Sequence, residues 1–140
     1  MNVVAELENL FLPLLREAEQ CFAAEYPTFN FQVWSSSIGG LTAYQGHDLG
    51  LECLFPDAST DEANCLVLTI GVMHLTSEPT LCDASVGWGT GDHPDTSINL
   101  IDNPLPFTRE ALLTVGARFP ELVAVFREGL EAWMSRNTHV

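Results

Sequence analysis

The chain contains no lysine, and its five cationic side chains are all arginines, Arg16, Arg109, Arg118, Arg127 and Arg136. Nineteen acidic residues oppose them, giving a formal net charge of −14. Thirteen Asp or Glu residues and no Arg or Lys lie between Arg16 and Arg109. Binding to a phosphate backbone needs clustered cations that release counterions, and that long stretch has none. Nucleic acid is therefore excluded as a partner, and anionic membranes are disfavoured for the same reason. Cations, basic peptides and basic proteins are favoured, while the same charge also keeps the chain soluble.

Other absences narrow the reading further. Without lysine there is no P-loop lysine and no Schiff-base lysine. There is no G-x-S-x-G elbow and no H-E-x-x-H pair. Gly87, Gly89 and Gly91 lead into Asp92-His93-Pro94 rather than a helix, unlike a dinucleotide-binding loop. No apolar run approaches the roughly 18 residues of a membrane span. The opening residues Met1 to Glu6 lack the basic region of an export signal. The four cysteines, Cys21, Cys53, Cys65 and Cys82, show no C-x-x-C spacing. A cytoplasmic protein with reduced thiols and no cofactor is expected.

The 140 residues are 46% apolar, which suits one domain spanning 1–140 with a core of its own. Val3, Leu7, Leu10, Phe11, Leu14, Ala18, Cys21 and Phe22 recur at helical steps. Pro13 falls inside this pattern and predicts a kink. Tyr26-Pro27 ends the helix. Phe29, Phe31 and Val33 then alternate with Asn30, Gln32 and Trp34 as a strand, with a turn at Ser37 to Gly40. A second strand runs from about Thr42 to Phe55, with Leu49, Leu51, Cys53 and Phe55 on one face. After a polar loop, Pro56 to Ala63, the segment Cys65 to Leu75 is apolar on both faces and reads as a central strand. A turn at Ser77 to Thr80 leads to a fourth strand with Cys82, Ala84, Val86 and Trp88 in alternation. Gly87 to Pro106 reads as a long irregular loop. Thr108 suits a helix N-cap, Gly116 a stop and Pro120 the start of a last helix. Leu122, Phe126, Leu130 and Trp133 would line the buried stripe of that helix. The expected fold is α+β: an N-terminal helix, a four-stranded antiparallel meander, and two C-terminal helices packed on one sheet face.

Few constellations carry chemistry. Asp92, His93 and Asp95 form the best metal-ligand candidate, which Asp57, Asp61 or Glu62 could join. Asp, Gly and Pro are equally ordinary turn residues. Centring the third turn on Glu78 places His74 across from Cys82, which could activate the thiol. A buried histidine beside an inert core cysteine is the plainer reading. Centring the second loop on Ser59 places Cys53 opposite Cys65 as a reduced pair. Ser35, Ser36 and Ser37 have no histidine tied to them in sequence and read as a strand end. Trp34 and Tyr44 would form an aromatic patch if one sheet face is uncovered.

No segment matches a family signature. In composition and layout the chain loosely resembles bacterial secretion chaperones and toxin-immunity proteins, which shield basic or apolar partners. The leading expectation is a non-catalytic acidic interaction protein, adaptor-, chaperone- or immunity-like. It would bind a protein partner through its sheet face, using Trp34 and Tyr44. The alternative is an enzyme or small-ligand binder that uses a divalent cation at the Asp92–Asp95 loop. A homodimer through the sheet or its edge is a further reading.

Overall fold

The computed structural model describes residues 2–39, 45–55, 65–74, 78–88 and 97–137. Helix α1 spans Val3–Glu25, β1 Asn30–Gly39, β2 Gln45–Leu54, β3 Cys65–His74 and β4 Pro79–Trp88. Two short strands follow, β5 (Ile98–Asn99) and β6 (Leu105–Pro106), and then α2 (Arg109–Ala117) and α3 (Phe119–Asn137). Strands β1 to β4 form an antiparallel meander, with both β5 and β6 paired to the outer edge of β4. This is the expected α+β architecture.

Asn2 caps α1, its Oδ1 accepting from the Ala5 N–H at 3.1 Å. The helix runs unbroken through Pro13. A proline there leaves the Asn9 carbonyl without its helical partner. Asn9 and Pro13 are both exposed, on the side of the helix where solvent can satisfy such a carbonyl. Leu7, Phe11, Leu15, Ala18 and Phe22 form the buried stripe of α1. Thr108 caps α2 as expected, accepting from the Ala111 N–H at 3.0 Å. The predicted stripe of the last helix, Leu122, Phe126, Leu130 and Trp133, is buried.

Helix α1 packs on β1 and β2, and α3 on β3 and β4, all on one face of the sheet. That face contributes Leu49, Leu51 and Cys53 from β2, Leu66, Leu68, Ile70 and Val72 from β3, and Leu81, Ala84 and Val86 from β4. Aromatic rings tie the layers together. Phe126 meets Phe22 at 5.2 Å between ring centroids, and Trp133 stacks on Phe55 at 4.5 Å.

Three local expectations need correction. Strand β1 does not turn at Ser37 but continues to Gly39, with Ser37 paired to His47. The β3–β4 hairpin is tighter than a turn centred on Glu78 allows. His74 faces Pro79, not Cys82, and Ile70 faces Ala84. The register also shifts between Gly71 and Val72, so Cys82 is the surplus residue of a β-bulge. Finally, Cys53 faces Leu66 and Cys65 faces Leu54, one residue away from the expected pairing. The long segment before α2 contains β5 and β6, which cover the β4 edge.

Candidate functional site on the open sheet face

Alternation along each strand sends every second side chain away from the helices. On this second face lie Gln32, Trp34 and Ser36 of β1 and Asp48, Gly50 and Glu52 of β2. Val67, Thr69 and Gly71 of β3 and Asp83 and Ser85 of β4 join them. Apart from Gly50 and Gly71, these residues are exposed or half-buried. No strand of the sheet contains Arg or Lys, because all five arginines belong to the helices or to the α2 C-cap. Among the described residues no helix packs on this face, which is thus open and anionic, and the arginines belong to the helical layer.

Its centre is Gly71, with Asp48 across from it on β2 and Asp83 across from it on β4. A Cβ at Gly71 would run into the Asp48 carboxylate and lie 3.2 Å from the Asp83 Cβ. The missing side chain is what lets the Asp48 carboxylate lean over this strand, beside Asp83 on the next. Burial raises the Asp48 carboxyl above the ordinary aspartate range, and the Asp83 charge adds to this, partly offset by His47. Burial likewise raises Asp83, against a hydrogen bond donated by the Ser85 hydroxyl at 2.6 Å. Burial, then the charges of Asp83 and Asp48, raise the Cys82 thiol, so it is no activated nucleophile. Burial pushes Cys53 up to about 12, which marks a core thiol.

These shifts have a consequence for stability. A carboxyl whose pKa is higher in the folded state binds more protons there than in the unfolded chain. Stability therefore falls as pH rises through the interval between the two values, and the cost is complete at neutral pH. Asp48→Asn or Asp83→Asn is expected to raise the melting temperature at pH 7, by an amount that solvent screening of these half-buried groups keeps small. The gain should shrink as pH falls through the raised folded-state pKa and vanish below the ordinary aspartate range. Calorimetric melts across pH test this, and a gain independent of pH would refute the assignment.

Trp34 lies with its ring over Gly50, so closely that a Cβ there would overlap the indole. Its Nε1 is shielded from solvent and has no hydrogen-bond partner among the described residues. The other half of the expected aromatic patch, Tyr44, lies outside the described residues, as do Asp92, His93 and Asp95 and also Asp57, Asp61 and Glu62. Among the described residues, no group of three or more His, Cys, Asp or Glu side chains could hold a metal ion. No disulfide joins any of the four cysteines.

On the helical side, the structure brings together a cluster that the sequence reading missed. His47, buried, bonds through Nε2 to the Ser35 hydroxyl at 2.6 Å and through Nδ1 to the Ser37 hydroxyl at 3.0 Å. Ser35 also donates to Glu8 of α1 at 2.7 Å. Since Ser35 gives its single proton to Glu8, the His47 Nε2 must be the donor to Ser35. In the neutral ring Nδ1 then accepts from Ser37. In this arrangement His47 holds a proton toward Ser35 instead of withdrawing one, and no carboxylate orients the ring from behind. That is the reverse of a serine nucleophile with its base. The cluster fastens α1 to the β1–β2 hairpin. A symmetric turn at Gly40 to Tyr44 would have put Ser37 opposite His47, so the signal was present in the sequence.

An apolar cavity of about 300 Å³ opens between α1 and α3, lined by Leu14, Ala18, Cys21, Phe22 and Val123. This is the lower end of the range for small-molecule sites. Arg127 at its rim is already bonded to Glu25 and lies over the Phe22 ring.

No protein-family model, curated protein or solved structure matches this chain. Function must therefore be argued from the site itself. No helix among the described residues is long and apolar enough to cross a membrane.

Proposed function

We propose that this protein is a non-catalytic acidic interaction protein that binds a basic protein partner on the open face of its sheet. The observation that carries this reading is the pair Asp48 and Asp83, half-buried over Gly71 on a face with no Arg or Lys in its strands. Two carboxylates raised by burial, Asp48 also by the charge of Asp83, are relieved by a cation beside them. An arginine or lysine side chain of the partner fits this role and can bond both carboxylates. Glu52 extends the anionic strip along β2. Trp34 borders it, half-buried, with a ring that can take apolar or cationic contact.

A short fluorescent Arg- and Lys-rich peptide is the direct probe, followed by anisotropy. Binding should weaken as salt rises, because it is charge-driven. Asp48→Asn with Asp83→Asn should weaken it about tenfold, equivalent to about 1.4 kcal/mol. Gly71→Val should do the same without altering charge, by filling the gap between the carboxylates. Glu17→Gln with Glu128→Gln removes the same charge from the helical layer and should have little effect. Equal losses from both double variants would reduce the interaction to net charge and defeat the proposal, as would no binding at low salt.

A further inference from the structure

The two edges of the sheet are treated differently. Along β4, the short strands β5 and β6 pair with Ser85–Val86 and with Thr80–Leu81 and cover much of the edge. Along β1, the ten residues Asn30–Gly39 pair with β2 on one side, and among the described residues no strand lies on the other. Alternate residues of an antiparallel strand direct N–H and C=O groups away from their partner, so β1 presents a row of backbone donors and acceptors. Edge strands are normally blunted by charge, proline or a bulge. Strand β1 has none of these: its sequence, NFQVWSSSIG, carries no charged residue or proline, and its register with β2 is regular.

The charge pattern indicates what pairs there. The whole stretch from Tyr26 to Gly46 lacks Asp, Glu, Arg and Lys, in a chain of net charge −14. A basic strand would gain little from a neutral edge. A second copy is repelled by most of this molecule but meets no charged side chain of β1 itself, the carboxylate bonded to the strand being that of Glu8 on α1, at Ser35. We propose that β1 pairs antiparallel with β1 of a second copy, joining the two sheets into one continuous sheet about a two-fold axis. The helices of both copies then lie on one side, and both Asp48–Asp83 pairs lie on the other. This inference does not depend on the basic partner.

Light scattering on the full chain, from roughly 1 μM to 1 mM, should show a transition from one to two chain masses. Raising salt should strengthen the dimer, because it screens repulsion between like-charged copies. This is opposite in sign to its effect on the basic peptide, so the two proposals fail separately. Gln32→Lys with Ser36→Lys places like charges on the exposed edge strand of each copy and should weaken the dimer at least about tenfold. An unchanged melting temperature at low concentration shows that the variant monomer is folded. Amide exchange gives a second readout: β1 N–H groups should exchange more slowly in concentrated than in dilute wild-type protein. A chain that stays monomeric throughout overturns the proposal and leaves the edge to a strand of another protein. A dimer indifferent to both lysines, with β1 amides exchanging equally at every concentration, overturns it in favour of a different interface.

Discussion

Phe126→Ala is expected to lower the melting temperature by on the order of 10–20 °C, which corresponds to about 3–5 kcal/mol for truncating a large buried aromatic. Phe126 is fully buried at the centre of the helix–sheet interface. Its ring lies 5.2 Å from that of Phe22 on α1 and 6.5 Å from that of Phe31 on β1, so one side chain joins three elements. Neither helix can close the resulting void alone, because α1 is also held to the hairpin by Glu8, Ser35 and His47. Calorimetry or urea unfolding measures the loss. A loss under about 1 kcal/mol would mean that α3 is not seated as described.

The second large effect is expected where α3 crosses β3. A Cβ at Gly129 would lie 2.7 Å from Cδ2 and 3.1 Å from Cδ1 of Leu66. Leu66 is fully buried and cannot swing into solvent to make room. Gly129→Val should therefore destabilise the fold by about 1–3 kcal/mol through overpacking. Intrinsic helix propensity acts in the opposite direction, since glycine is about 1 kcal/mol worse than alanine inside a helix. The sign of the change thus separates packing from propensity. A lower urea midpoint with unchanged slope supports close seating of α3, and a higher midpoint contradicts it.

The large features of the fold were legible because each had a clear period. The stripe Leu122, Phe126, Leu130, Trp133 and the alternation Leu49, Leu51, Cys53 each indicate one buried face. Registers were less legible. A displacement of two residues between β3 and β4 keeps Ile70 and Val86 on the same face, so the hydrophobic pattern cannot detect it. The bulge at Cys82 leaves no compositional mark. Strands β5 and β6 have two residues each, too few for any period. Of the candidate site, the anionic character and Trp34 were readable in the sequence. The meeting of Asp48 and Asp83 was not, because it depends on a glycine in the strand between them and on the registers of two hairpins. The Ser35–His47 contact needs only the register of the first hairpin, which a turn placed at Ser37 to Gly40 does not give.

The surplus residue in β4 also affects how this chain tolerates changes in its length. Adding or deleting one residue within a strand ordinarily turns everything beyond it inside out, moving core side chains into water. At Cys82 the strand already carries one residue more than its partner, with Leu81 and Ala84 both facing the core on either side of the bulge. Excising Cys82 would bring Leu81, Asp83 and Ala84 into plain alternation and leave both faces of the sheet as they are. The β4 ladder thus contains a position where the chain can lose a residue without exchanging inside for outside.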